Sequence, residues 1–413
     1  MANASNSLKM AEIMKVVIFL AIFGIALSEN RIDGSSRNGD VDKEIQITNA
    51  RNRYYILFWE NLFQNQSDRI IPDGSIIDNT CEVSYNARVL PNALAILFHH
   101  SSFDSTDIAQ IPMYRDPEQI YVWFTMHSPS YMLHIDDNDL KQFPSNFFNW
   151  TMSYRREADI HLPINDEGTS VIHRHAKFFA KNSRKLEAII RLKRNNKLAL
   201  WHKNDCMKPG ISFAPKRDKL VSELMMAGLT VDRVGSCFGN SFNRDSPTLT
   251  DVLFGYKFYL ALEDSYHCRD YITAEYWSKS LNTFTIPVIW GPAKEDLEAL
   301  VPKGSYIYAD DFSSSAALVE YLHYLDGNDT AYIEYFQWIR DPELIPAYLK
   351  QQTDSGLMAS MKELCRKARA NTEIKVIDDI AEYWFGTERE ECLLSEGSQA
   401  ATHYIKKQRK IEL

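Results

Sequence analysis

The sequence predicts an α/β protein built on parallel sheets, and three observations predict it. Short apolar runs rich in β-branched and aromatic residues recur along the chain, they fall into two series, and polar or helix-like stretches separate them. At 413 residues the chain is long enough for two ordinary domains. Hydrophobic residues at 45% and charged residues at 24% describe a globular body, and a formal charge of −9 argues against a nucleic-acid backbone as the partner, since that needs clustered Lys and Arg.

The first series is YYILFW (54–59), ALAILFHH (93–100) and IYVWFTMH (120–127). These runs are apolar at nearly every position rather than at alternate ones, which suits strands covered on both faces. The second series is KLALWH (197–202), the helix-like KRDKLVSELMMAGL (216–229), TVDRVG (230–235), KFYLALE (257–263) and TIPVIWG (285–291). Between the series, HRHAKFFAKNSRKLEAIIRLKRNNK (173–197) reads as a linking helix with a solvated basic face, or one lining the approach of an anion. The expected lobes are therefore 51–195 and 196–365. Residues 366–413 are charged, end in KKQRKIEL, and read as a surface helix and tail.

Ahead of the first strand, residues 16–27 form an apolar run preceded by Lys9 and Lys15. With Ile13 and Met14 it still falls short of the roughly 20 residues of a full span. Two readings stand: a transmembrane signal-anchor over 13–28 behind a cytoplasmic tail of 1–12, or a cleaved signal peptide. Either places the remainder outside the cytosol, beyond a polar stem at 29–50. An oxidising compartment suits the six cysteines. Cys206 and Cys237 flank one βα unit and are a candidate pair, and Cys81 with Cys365 would tie the two ends of the chain, although connectivity does not follow from sequence. Asn65, Asn149 and Asn328 stand in glycosylation sequons.

The segment YKFYLALEDSYHCRDYIT (256–273) concentrates the chemistry. A strand ends in Glu263, Asp264 and Ser265, a polar loop follows, and the amphipathic AEYWSKSL comes next. Ligands of α/β sheets bind outside the carboxyl ends of strands, and a helix N-terminus there offers N–H groups to phosphate. Asp137-Asn-Asp139 has the form of a nucleotide-metal motif but sits in a polar stretch that reads as a solvated loop.

The same segment resembles the donor signature of α1,3-fucosyltransferases, YKFYLAFENS followed by DY(V/I)TEK. Other matches keep the family's order: QIYVWFTMHSP (119–129) for WVWFxMESP, FNWTMSYRREADI (148–160) for FNWTMSYRRDSDI, and ALWHKNDC (199–206) for WxxSNC. IPVIWGP (286–292), KGSYIYADDF (303–312) and ALVEYLHYL (317–325) continue the series. The resemblance covers roughly residues 54–365. It implies a Golgi type II membrane protein of the GT-B arrangement, with two facing Rossmann-like lobes. It further implies transfer of fucose from GDP-fucose to a GlcNAc of a glycoprotein glycan, with inversion, no metal and no other cofactor; core and outer GlcNAc acceptors both remain open.

Carried over residue by residue, the family's roles fall on Tyr154, Arg217, Tyr259, Glu263, Tyr271 and Thr273, with Arg217 at the diphosphate. The chain departs elsewhere. The ESP glutamate, the family's base, is His127, and the Asn of FENS is Asp264. The TEK glutamate and lysine fall on Ala274 and Glu275. Histidine, with an ordinary pKa near 6.5, is a competent base or else a polar residue at a strand end. An anion at Glu275 would repel a diphosphate by roughly 1–4 kcal/mol, with Lys279 one turn on, or Arg269 in the lengthened loop, as possible compensation. The departures leave open a family member that binds glycans or a partner without transfer.

Overall fold

The computed structural model describes residues 53–59, 69–100, 116–135, 140, 143–164, 197–204, 215–240, 248–265, 267–351, 356–373, 375–386 and 392, with isolated positions between 171 and 193. The apolar run at 16–27, the stem, Asn65, residues 137–139, Cys206 and the tail after 392 lie outside them. Among the described residues no helix is long and apolar enough to cross a membrane.

Two sheets organise these residues. The first contains β1 (Tyr54–Phe58), β2 (Ile76–Ile77), β3 (Cys81–Ser84), β4 (Ala93–His99), β5 (Ile120–Phe124), β6 (Trp150–Ser153) and β7 (Ile160–His161), in the order β2-β3-β1-β4-β5-β6-β7. Every pairing in it is parallel except the short β2–β3 edge. The second contains β8 (Ala199–His202), β9 (Val231–Val234), β10 (Phe258–Leu262), β11 (Ile286–Trp290) and β12 (Ile307–Tyr308), all parallel, in the order β12-β11-β10-β8-β9. In both sheets the first parallel strand lies between the second and the third, so each has one point where the strand order reverses: β1/β4 in the first, β8/β10 in the second. This is the two-lobed, Rossmann-like GT-B architecture, and the reversal point is where such sheets hold ligands.

The apolar runs form these strands because they are covered on both faces. β5, β10 and β11 are buried at every position. Pro287 is tolerated in β11 because Ile286 N–H bonds back to Lys257 while pairing with β12 begins only at Val288. Around the second sheet pack α2 (Pro215–Met226), α3 (Lys294–Leu300) and α4 (Ser315–Gly327), after α1 (Pro129–Ile135) in the first lobe.

Two features differ from the sequence expectation. The basic stretch before β8 is not simply a solvated face. Val171, Ile172, Leu186 and Ile190 are in the second lobe's core, and Lys193 is buried with its Nζ donating to the carbonyls of Phe254 (3.1 Å), Tyr256 (2.9 Å) and Thr283 (2.9 Å) and to Thr285 Oγ1 (3.1 Å). The expected lobe boundary at 365 falls inside α5 (Leu357–Ala370), whose buried Met361, Leu364, Cys365 and Ala368 join the first lobe's core with Ile56, Val83 and Leu97. A disulfide between Cys81 and Cys365 closes that return. Beyond it, α6 (Ile380–Phe385) also packs on the first lobe: Trp384 lies 4.7 Å from Trp123, ring to ring. The C-terminal segment is thus a structural part of the first lobe up to Phe385, where a surface helix and tail had been expected.

Candidate functional site

The donor-signature residues collect at the reversal point of the second sheet. β10 runs directly into Glu263, whose carboxylate accepts from Thr273 N (2.8 Å) and Thr273 Oγ1 (2.8 Å). Those bonds fold the loop back over the strand end. Gly291, at φ +122°, makes the fold-back possible: a Cβ there would come 2.7 Å from Glu263 Cβ and 2.9 Å from Ser265 O. Burial, reinforced by Glu275 and Asp264, pushes the Glu263 carboxyl up to about 8 despite the two bonds from Thr273, so it is protonated at neutral pH.

Tyr259 on β10 is fully buried, and its hydroxyl donates to Glu275. Burial and that carboxylate hold the Tyr259 phenol well above its ordinary value. Glu275 is in turn ion-paired with Lys279, whose Nζ also lies 3.3 Å from His202 Nδ1 at the end of β8. Arg217, near the start of α2, is buried, lies close enough to Tyr259 to act on it electrostatically, and its Nε has no hydrogen-bond partner. A buried guanidinium nitrogen left unpaired at a strand-end cleft is suited to an anionic ligand.

AEYWSKSL is not the α-helix that its amphipathic pattern suggested. Residues 274–280 form turns in which Lys279 N bonds to Ala274 O, Leu281 N to Tyr276 O and Asn282 N to Trp277 O, each pair five positions apart. The N–H groups of Thr273 and Glu275 are taken by Glu263 and by Thr273 Oγ1. The phosphate-binding helix N-terminus expected there is therefore absent.

Several contacts among the described residues fasten the loop to the first lobe. Tyr154 meets Tyr271 edge to face at 5.2 Å. Arg156 grips Asp270 through its backbone N–H (2.9 Å) and its Nε (2.8 Å) and Nη2 (2.8 Å). Arg269 donates to Glu157 at 2.6 Å, which spends it on the lobe contact, and Ser128 Oγ lies 2.5 Å from Ser265 Oγ. The Tyr154 hydroxyl is buried and makes no hydrogen bond of ordinary geometry, with the Arg155 guanidinium close enough to act on it electrostatically. Two cavities adjoin this seam: one of about 400 Å³ lined by Arg156, His161, Ser360, Glu363 and Lys367, and one of about 30 Å³ lined by Tyr154, Asp270, Ile272 and Trp277.

His127 follows β5 and immediately precedes Ser128, so it stands one residue from the lobe contact. Its Nδ1 lies 3.3 Å from His100 Nε2, and its ring stacks on Tyr131 at 4.3 Å. Thr125 Oγ1 accepts from His127 N (3.1 Å) and lies 3.0 Å from His100 Nδ1. His99 packs against both rings, and burial together with those neighbours holds its imidazole well below the ordinary value, hence neutral.

The residues singled out from the sequence that are among the described ones fall as follows. Tyr154, Tyr271, Asp264 and Glu263 come together at the seam, Tyr259, Glu275 and Arg217 lie on the strand-end side, and His127 sits in the first lobe beside His100 and Tyr131, one residue from the Ser128–Ser265 contact. Asn149 is engaged on both sides of its amide, accepting from Tyr121 N and donating to Lys375 O, a role a glycan on the same nitrogen would share. Asn328 caps the helix Asp329–Glu334, accepting from Ala331 N and donating to Tyr324 Oη. Cys237 is disulfide-bonded. Sequence reasoning missed the Cys268–Cys392 disulfide, which anchors the signature loop to the chain beyond α6, and the partners His99, His100, His202 and Asp270. Two adjacent histidines closing a strand next to the strand that carries His127 were the available signal.

Comparison with known proteins agrees with the motif order. Residues 51–165 match the family described as "Fucosyltransferase, N-terminal", and residues 192–384 match "Glycosyltransferase family 10 (fucosyltransferase) C-term". The chain is 31% identical over 261 residues to 3-galactosyl-N-acetylglucosaminide 4-alpha-L-fucosyltransferase FUT3 of Bos taurus, covering 62% of this chain and 64% of that protein. It is 28% identical over 356 residues to 4-galactosyl-N-acetylglucosaminide 3-alpha-L-fucosyltransferase FUT5 of Homo sapiens, covering 84% of each. A crystal structure of an alpha1,3-fucosyltransferase aligns over 84% of this chain and 95% of its own, at 15% identity and a TM-score of 0.49. With both of the family's domains matched in order along one chain, the protein belongs to glycosyltransferase family 10, the fucosyltransferases.

Proposed function

We propose that the protein transfers fucose from GDP-fucose to a hydroxyl of a GlcNAc in a glycoprotein glycan, with inversion at the sugar carbon. The reading rests on Glu263, Tyr259 and Arg217 lying at the reversal point of the second sheet, with Tyr154 and Ser128 of the first lobe against that loop and His127 next to Ser128 in the chain. In single displacement the acceptor oxygen attacks the anomeric carbon as the bond to the diphosphate breaks. His127 takes the hydroxyl proton, its ring oriented by His100 and Tyr131. Arg217 meets the charge that develops on the departing diphosphate. Tyr154, Tyr271, Tyr259 and Asp264 shape the donor pocket, and the neutral Glu263 holds its loop. The altered Glu275 is tolerable because Lys279 and the Tyr259 hydroxyl neutralise and orient it. No metal or other cofactor is assigned a role.

The apolar run at 16–27, the disulfides Cys81–Cys365 and Cys268–Cys392 and the sequons support a Golgi type II membrane protein with its catalytic part in the lumen. One experiment tests both parts. The full chain and a form starting at residue 51 are expressed in secretory cells and assayed for GDP-fucose binding and transfer to a glycan panel. The full chain is expected in the carbonate-resistant membrane fraction and the shortened form in the medium, both active. Arg217→Ala is expected to lower kcat/KM by about a hundredfold to a thousandfold. An absence of donor binding at millimolar concentration would overturn the donor assignment, and equal donor binding by Arg217→Ala would overturn the diphosphate role.

A further inference from the structure

We propose that His99, His100 and His127 form a site for a divalent transition-metal ion of the zinc type, at the strand ends of the first lobe. One ligand nitrogen from each ring lies within 4.8 Å of the others. His127 Nδ1 and His100 Nε2 are 3.3 Å apart. Zinc–imidazole bonds of about 2.0–2.1 Å arranged tetrahedrally separate two ligand nitrogens by roughly 3.3–3.4 Å, so that pair is already at coordination distance. A hydrogen bond between the two rings would account for the pair, but not for the third nitrogen beside them.

The backbone explains the convergence. β4 ends at His99, so the alternation of side chains across the sheet stops there, and the rings of His99 and His100 lie on one side, 4.5 Å apart. His127 reaches the same place from the end of the neighbouring strand β5, three residues past its last paired position. His100 is fully buried and His99 nearly so, whereas His127 is partly exposed, which gives an ion a route in. The far nitrogen of His100 lies 3.0 Å from Thr125 Oγ1, the outer-shell contact that fixes the tautomer of a metal-binding histidine and directs its other nitrogen inward. Three imidazoles with, among the described residues, no carboxylate in the group select zinc, cobalt, nickel or copper over magnesium, calcium or manganese. The position that the family fills with glutamate is the one that supplies the third imidazole here.

The site stands whether or not the protein transfers fucose. On the reading that His127 is the base, an ion on Nδ1 withdraws that ring from its role, and zinc inhibits transfer.

Titration of the full, disulfide-intact chain with Co(II), followed by visible absorption and then Zn(II) displacement, tests the proposal without an activity assay. The expected result is one equivalent bound with the intense d–d bands of a tetrahedral cobalt site, bleached by zinc. His127→Ala should weaken binding beyond the roughly 10–100-fold typical of losing an outer-shell partner, and Thr125→Val should fall within that range. His323→Ala, on an exposed helix face, should bind as the parent does. An octahedral spectrum, equal affinity in His127→Ala, or loss of binding in His323→Ala would each overturn the site. Should His127→Ala fail to fold, unchanged binding in Thr125→Val would do the same.

Discussion

Glu263 is the residue whose environment carries the sharpest pH consequence. Two donors from Thr273 favour its anion, but complete burial and the nearby carboxylates of Glu275 and Asp264 outweigh them. Its folded pKa of about 8 lies above the ordinary 4.5, so the folded state holds the proton more tightly than the unfolded chain. That contribution to stability is fully present below about pH 4.5 and is lost as the pH rises through about 8. Relative to Glu263→Gln, the parent should therefore lose stability by up to about 1.4 kcal/mol per pH unit across that window and change little above it. Urea midpoints of the two proteins measured from pH 4 to 9 check this; parallel curves would show that the carboxyl ionises normally. At this scale the sequence was partly informative. The spacing made Lys279 one of two candidates, with Arg269, to compensate Glu275, whereas the approach of Tyr259 from a strand and of His202 from another did not follow from any local pattern.

Among the elements, the long buried strands were legible because double-sided burial leaves an unbroken apolar run, as in β4, β5, β10 and β11. β6, β7 and β12 were not singled out as strands, being two to four residues long within polar motifs. The misread element is 274–280, where a helical pattern yields to turns closed by bonds between residues five positions apart, with Trp277 drawn into the core. α5 shows the opposite case, an amphipathic helix whose partner lies almost the whole chain away. Its disulfide to β3 joins residues 284 apart in sequence. Closing so long a loop restricts the unfolded chain strongly, so Cys365→Ser is expected to lower stability by about 2–5 kcal/mol. Thermal unfolding of the variant against the parent measures it, and a change below 1 kcal/mol would mean that the packing of Met361 and Leu364 alone holds the helix.

For the molecule as a whole, the contacts between the lobes combine the buried Tyr154–Tyr271 ring pair with the Arg156–Asp270 latch. Asp270 is nearly buried while Arg156 remains 43% exposed on its side chain, so solvent screens the pair in part. A double-mutant cycle of Arg156→Ala and Asp270→Asn is expected to give a coupling of about 1–2 kcal/mol, and additive effects would show that the lobes are held by Tyr154 on Tyr271 and the disulfides instead. The sequence by itself determined the α/β class, the order of the principal strands and the family, because apolar period and motif order are local properties of the chain. Only the tertiary structure decided that Lys279 neutralises Glu275, that the segment 357–385 belongs to the first lobe, that Cys268 is tied to Cys392, and that His99 and His100 join His127. These are contacts between side chains delivered by separate strands and loops, and their distances depend on sheet register and on the closure of the chain rather than on spacing along it.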